Sequence, residues 1–152
     1  MAAAFETAGQ PVSAGTMAHD HEVYMTLVDT AAQQHDAAAI RQYAPRLEEL
    51  AARDGHKLYL AIAHRAWGVA HRLEGEYAAA EARFNQALEL FEEMETRWQI
   101  GRTLAEMGEL ALARSKPSAA RDFYSRALAA FEGLQAAPDE ERTRVALERI
   151  EN

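Results

Sequence analysis

The sequence predicts an all-α fold, and three observations support this prediction. Alanine accounts for 34 of the 152 residues, and alanine is the best helix former while being depleted in strands. From about Met17 onward, apolar residues recur three, four and seven positions apart, which places them on one face of a helix. No segment sustains the alternation of apolar and polar residues that is typical of a half-buried strand. A chain of this length is expected to form one domain.

Seven helices are predicted in order along the chain. Residues 1–16 have no sustained periodicity and are expected to form a disordered leader. The first helix begins near Met17, and glycine or proline residues help to delimit the others. Those helices are expected at about 36–53, 56–74, 76–94, 96–114, 117–134 and 139–150. Pro45 lies inside the second helix, where it removes a backbone hydrogen bond, so a kink or a split is expected there.

The composition excludes several classes of function. There is no cysteine, which rules out a disulfide framework, a cysteine-ligated zinc site and a cysteine nucleophile. The 16 basic and 24 acidic residues give a net charge of −8. Because an acidic surface is repelled by phosphate backbones and anionic lipids, neither nucleic acid nor a membrane is the expected partner. The N-terminus lacks the features of a secretory signal, so the expected location is the cytoplasm.

An internal repeat with a period of 40 residues relates the middle of the chain to its later part. The segment Gly75–Leu88 overlays Ser115–Leu128, and Phe84 matches Tyr124 in this overlay. Further residues recur at the same offset, namely Ala79, Ala80, Ala87, Leu88, Phe91 and Glu92 as Ala119, Ala120, Ala127, Leu128, Phe131 and Glu132. A degenerate first copy has Ala44 in place of the aromatic residue. The copies are expected at about 20–55, 56–95 and 96–135, followed by a capping helix over 138–151.

The repeat resembles the tetratricopeptide repeat in its pattern of small and aromatic residues. The second copy carries this pattern as Gly68, Gly75, Tyr77, Ala80, Phe84, Ala87 and Leu88, and the third copy keeps Gly108, Ala120, Tyr124, Ala127 and Leu128. The resemblance implies a right-handed α-solenoid of about three helix pairs plus a C-terminal capping helix. The residues expected to pack the helices together are Gly68, Tyr77, Ala80, Phe84, Ala87, Gly108, Ala120, Tyr124 and Ala127.

The length of the repeat adds a finer resemblance. A period of 40 residues is longer than the usual 34 of this family. It resembles the variant found in large bacterial ATPase-type transcription activators and signalling proteins, whose repeats end in a run like Leu90-Phe91-Glu92-Glu93.

Catalytic chemistry has no support in the sequence. Adjacent carboxylates such as Glu92 and Glu93 point about 100° apart on a helix, so they do not form an acid–base pair. There is no Gly-x-Ser-x-Gly motif and no Gly-rich phosphate loop. His64 and His71 lie on one helical face and are expected to be solvated or partly packed rather than to bind a metal. The sequence therefore predicts a protein that is not an enzyme and that has no cofactor or metal.

The resemblance also implies a concave groove lined by the first helix of each pair. The candidate peptide-binding residues on those faces are Arg65, Val69, Arg72, Arg102 and Glu109. The corresponding face of the first copy offers Glu22, Met25, Asp29 and Ala32. Guanidinium groups bind carboxylates through two parallel hydrogen bonds, so the candidate ligand is an acidic peptide segment or a C-terminus. In the alternative, the arginines pair with Glu74, Glu106 or Glu109 and merely keep the surface soluble.

The predicted function is that of a non-enzymatic scaffold or adaptor that binds a protein or peptide segment. Two alternatives stay open at this point. In the first alternative, the repeats self-associate through their open ends as a homo-oligomer. In the second, the chain is a ligand-sensing part of a larger bacterial transcription or signalling regulator. Trp98, just after a helix joint, either packs between repeats or belongs to an exposed patch for a partner.

Overall fold

The computed structural model describes residues 17–151, which form seven α-helices joined by short turns. The helices are α1 (Met17–Gln33), α2 (Ala37–Asp54), α3 (Lys57–Leu73), α4 (Tyr77–Glu93), α5 (Arg97–Ala113), α6 (Pro117–Phe131) and α7 (Ala137–Glu151). The predicted leader, residues 1–16, lies outside the described residues. None of the helices within the described range is long and apolar enough to cross a membrane.

The turns repeat with a period of 20 residues. At this period each turn has a residue in the left-handed backbone conformation, with φ between 55° and 79°: His35, Gly55, Gly75, Glu95, Ser115 and Gln135. The last turn has a second one, Gly133, with φ of 82°. In the first five turns, the amide of the following residue donates to the carbonyl five residues earlier, as Glu76 does to His71 at 2.8 Å. This hydrogen bond closes the helix end in a Schellman motif. Two such helix–turn units make up one 40-residue repeat.

The helices stack as three consecutive pairs followed by α7. Each helix packs against the next one along the chain, and α1 also contacts α3, while α3 contacts α5. The first helices of the three pairs therefore lie side by side and line one face of the stack. This arrangement is an all-α solenoid of three helix pairs with a C-terminal helix, as the sequence predicts.

Small residues allow the two helices of a pair to approach closely. A Cβ atom built on Gly68 would lie 2.5 Å from the ring of Phe84, and one on Gly108 would lie 2.8 Å from the ring of Tyr124. Both rings are almost completely buried. The remaining predicted packing residues lie in the same layers: Ala80, Ala87, Ala120 and Ala127 are fully buried and Tyr77 packs at the edge of the core.

Pro45 does not split α2, which runs without interruption from Ala37 to Asp54. Of the two predicted outcomes, a kink or a split, the split is wrong. Pro45 lies on the exposed side of α2, and so does Arg41, whose carbonyl would accept a hydrogen bond from a non-proline residue at position 45. The missing hydrogen bond therefore falls on the exposed side of the helix, and the helix continues through it.

The C-terminal helix covers the last pair. Ala146, Leu147 and Ile150 of α7 pack against a small cluster that contains Tyr124. Thr143 is buried in this contact, and its hydroxyl donates to the carbonyl of Asp139 at 2.7 Å. Helix α7 also forms one wall of the groove described below.

Candidate functional site

A groove of about 430 Å³ opens on the face lined by the first helices of the pairs. Its walls come from the end of α1, from α3 and α5, and from α6 and α7. Four predicted groove residues, Arg65, Val69, Arg102 and Glu109, line it, whereas Arg72 lies outside its lining. We refer to this space as the concave groove.

Three charged residues from three different helix pairs meet at the concave groove, and two of them, Arg65 and Arg102, line it. Asp29 of α1 accepts hydrogen bonds from Arg102 of α5 at 2.9 and 3.1 Å, one to each carboxylate oxygen. Arg65 of α3 donates to the same carboxylate at 3.1 Å. Asp29, Arg65 and Arg102 are called the Asp29 cluster below. It has one net positive charge, because two guanidinium groups share one carboxylate.

Two members of the Asp29 cluster, Asp29 and Arg65, have pKa values shifted from their ordinary ranges. Burial alone would raise the pKa of Asp29, but the hydrogen bond from Arg102 and the charges of both arginines outweigh burial and lower it below its usual range. Burial lowers the pKa of Arg65 to about 10, with the nearby charge of Arg102 as the second cause. Both groups are nevertheless charged at neutral pH.

Arg65 is held more tightly than the sequence suggests. Only 1% of the residue is exposed, although an exposed position on the groove face is expected for it. Its guanidinium donates to the side chain of Gln99 at 2.8 Å and lies 5.0 Å from the ring centre of Phe91. Val69 is fully buried as well. Both candidate residues are therefore buried rather than exposed on the groove face, and Arg65 is held by hydrogen bonds to Asp29 of α1 and Gln99 of α5.

Arg72 is also paired rather than free. It donates to Glu106 at 3.3 Å, and it is 7% exposed. This is one of the pairings in the soluble-surface alternative. Glu74 instead pairs with Arg41 on α2. Glu109 is exposed and has no cationic partner within 4 Å among the described residues.

Trp98 adds an exposed aromatic surface to the concave groove. The residue is 44% exposed, and Arg102 lies 5.0 Å from its ring centre. Its indole N–H donates to the carboxylate of Asp139 on α7 at 2.8 Å. Trp98 therefore connects α5 with α7 and still presents part of its ring to solvent.

Tyr124 contributes a buried hydroxyl to the groove wall. The residue is 2% exposed, and its hydroxyl oxygen makes no hydrogen bond of normal geometry. Burial is the main reason why its pKa is raised, and the negative charge of Glu109 adds to the effect. The recurrence of an aromatic residue at this repeat position predicts packing and gives no signal for its contribution to the groove.

A second cluster of potential ligands lies at the turn between α3 and α4. His71, Glu74 and Glu76 place their donor atoms within 4.8 Å of one another, a spacing at which they could hold a metal ion. Arg41 instead donates to Glu74 at 2.8 and 3.0 Å and to Glu76 at 3.4 Å. This cluster is absent from the residues predicted from the sequence, although Glu74 follows His71 by three residues, a spacing that places both on one helical face.

Comparisons with known proteins agree with the observed architecture. The tetratricopeptide repeat family matches residues 59–133. A crystal structure of BtubC (BKLC) from P. vanneervenii superimposes with a TM-score of 0.70 over 86% of this chain, at 17% sequence identity. The superposition spans 54% of that protein, and this level of identity bears on the fold alone. No curated protein matches the chain.

The helix pairs and the glycine–aromatic contacts agree with the match to the tetratricopeptide repeat family. This match covers residues 59–133, which make up most of the second and third helix pairs. This class of fold builds extended concave binding surfaces and is a repeat scaffold for protein interactions. The resemblance to the 40-residue bacterial variant stays a prediction.

Proposed function

We propose that the chain is a non-enzymatic scaffold that binds an extended peptide segment of a partner protein in the concave groove. The observation that carries this proposal is the groove itself, which the first helices of three pairs form together with α7. Its volume of about 430 Å³ lies within the range of small ligand sites. A peptide is the ligand that an elongated groove of this fold class suits best.

The chemistry of the groove wall supports a peptide rather than a reacting small molecule. Trp98 offers a partly exposed ring against which an apolar side chain can pack. Ala32, Ala105 and Ala146 are small, so they leave room for a main chain to lie against the wall. The charged groups of the Asp29 cluster are paired with one another, an arrangement that positions a ligand but activates no nucleophile.

Selection from a displayed library of random peptides, with the full chain as bait, tests this proposal. The groove is blocked by Ala105→Phe, which places a ring in the space that Ala105 borders. The matched control is Ala129→Phe, the same change at an exposed position of α6 outside the groove lining. Selected peptides are expected to bind the unmodified chain and the control equally. They are expected to bind the Ala105→Phe variant at least about tenfold more weakly.

Two results would contradict the proposal. The first is that no peptide is enriched above an empty support. The second is that the enriched peptides bind the Ala105→Phe variant as tightly as they bind the control variant. Self-association, the bacterial regulatory role and the cytoplasmic location remain predictions, because none of the contacts among residues 17–151 bears on them.

A further inference from the structure

We propose that the concave groove recognises an acidic peptide segment, and that Asp29 occupies the place of the partner's carboxylate on Arg102 in the free protein. This inference rests on the proposed function. Asp29 is then an internal competitor, and binding exchanges one carboxylate for another.

The contacts of Arg102 carry the first step. Its guanidinium uses two nitrogens to hold both oxygens of Asp29, which is the arrangement in which arginine recognises a free carboxylate. A further donor–acceptor contact, to the side chain of Gln99, is long at 3.5 Å. The bonding capacity of Arg102 is therefore directed at one carboxylate, and this carboxylate comes from a residue 73 positions away in the sequence.

Accessibility distinguishes Arg102 from Arg65. The side chain of Arg65 is 2% exposed, while that of Arg102 is 12% exposed and that of Asp29 is 17% exposed. Arg65 also keeps Gln99 as an acceptor at 2.8 Å when Asp29 moves away. When Asp29 moves away, the partner's carboxylate must nevertheless replace it as the counter-charge of Arg65 as well as of Arg102, because a buried guanidinium without a carboxylate is costly.

The charge balance of the groove directs an acidic group to the Asp29 cluster. The Asp29 cluster has an excess of one positive charge, whereas the pair of Arg72 and Glu106 and the pair of Arg142 and Asp139 are each balanced. Glu109, toward Tyr124, repels a second acidic group. The exposed ring of Trp98 lies directly beside Arg102. An acidic residue flanked by an apolar one therefore complements this part of the groove.

The test uses fluorescently labelled oligoglutamate as the probe and labelled oligoglutamine as its neutral counterpart. Asp29→Asn removes the internal charge but keeps an oxygen that accepts from Arg65. We expect it to bind oligoglutamate at least about tenfold more tightly than the unmodified chain, as the loss of one charge-assisted competitor implies. Adding Arg102→Gln to Asp29→Asn is expected to remove this gain, and oligoglutamine is expected to bind all variants equally weakly.

The control for net charge is Glu81→Gln, which removes one negative charge from an exposed pair with Arg114 outside the groove. If Glu81→Gln gains as much affinity as Asp29→Asn, or if Asp29→Asn gains none, the inference is overturned. In that case the proposed function still holds if library-selected peptides bind the Ala105→Phe variant more weakly than they bind the unmodified chain. If no peptide of any kind binds, the proposed function fails with it.

A second measurement does not depend on the folding of any variant. The side-chain N–H signals of Arg102 are followed by NMR in the unmodified chain during titration with each peptide. Oligoglutamate is expected to shift these signals in a saturable manner, and oligoglutamine is expected to leave them in place. Signals that stay unchanged up to saturating oligoglutamate contradict the exchange of carboxylates on Arg102.

Discussion

At the scale of single residues, the contact between Gly68 and Phe84 shows why glycine occurs inside a helix here. Alanine at position 68 would gain about 1 kcal/mol in helix propensity, but its Cβ would lie 2.5 Å from a fully buried ring. Overpacking of this kind costs about 1–3 kcal/mol. The difference of the two effects is a loss of up to about 2 kcal/mol in the free energy of unfolding for Gly68→Ala, measured by urea denaturation.

The smaller side chain of Phe84→Leu provides the control for this prediction. In that background the added methyl group has room, so Gly68→Ala is expected to be neutral or stabilising. A Gly68→Ala variant that is more stable than the unmodified chain would show that the close approach does not constrain the helix pair.

His64 links stability to pH. It is 8% exposed, and its Nδ1 atom lies 2.9 Å from a nitrogen of Arg83. Burial, and then the positive charge of Arg83, lower the pKa of His64, while Glu48 opposes this only in part. As the pH falls below the unfolded-state value of about 6.5, the unfolded chain takes up a proton that the folded chain resists. The folded state therefore loses stability on acidification through this range.

The comparison with His64→Gln isolates this effect from the other histidines. Glutamine can still accept from Arg83 but does not titrate. Between about pH 7.5 and pH 5.5, the unmodified chain is expected to lose more free energy of unfolding than His64→Gln. Equal losses in the two proteins, measured by urea denaturation at each pH, would mean that His64 has the same affinity for protons in both states.

At the scale of secondary-structure elements, Pro45 is a point where α2 can be improved. Proline inside a helix costs about 3 kcal/mol in propensity, and Pro45 lies on the exposed side of an uninterrupted helix. Pro45→Ala restores one amide donor, so we expect it to raise the free energy of unfolding by about 1–3 kcal/mol. The exposed Gln42→Ala on the same helix is the control and is expected to change stability only slightly. A loss of stability in Pro45→Ala would contradict this account of α2.

The elements themselves could be predicted from the sequence because their signals are local. The recurrence of Gly68 as Gly108 and of Phe84 as Tyr124 gives the repeat length, and the glycines at 55 and 75 end two helices. The turns at His35, Glu95 and Ser115 are harder to predict from the sequence, because these residues adopt the same left-handed conformation without being glycine. In these turns the Schellman hydrogen bonds and the packing of successive helices override the backbone preference.

At the scale of the whole molecule, the bond between Asp29 and Arg102 joins the first helix pair to the third. Both side chains are mostly shielded from solvent, so we expect their interaction to be worth about 1–3 kcal/mol. Urea denaturation of Asp29→Asn, Arg102→Gln and the double variant measures this coupling. Additive effects of the two substitutions would show that the first and third pairs are not coupled through this bond.

The groove could be predicted from the sequence only in part. The repeat places Arg65, Val69 and Arg102 on one face, and the structure does bring them to one groove. Their partner was not predictable, because Asp29 lies in the degenerate first copy and meets Arg102 only through the stacking of three helix pairs. Local periodicity gives the face of a helix, but it does not give contacts between helices that are far apart in the sequence.

The fluorescence of Trp98 tests the central claim, peptide binding in the concave groove, most directly. The chain has two tryptophans, so Trp67→Phe leaves Trp98 as the single reporter. This substitution removes no hydrogen bond, because the buried indole N–H of Trp67 has no hydrogen-bond partner. Titration with a library-selected peptide is expected to change the Trp98 emission in a saturable manner, and adding Ala105→Phe is expected to abolish the change. Peptide binding that leaves the emission unchanged, or that persists unaltered with Ala105→Phe, would contradict the assignment of the concave groove as the binding site.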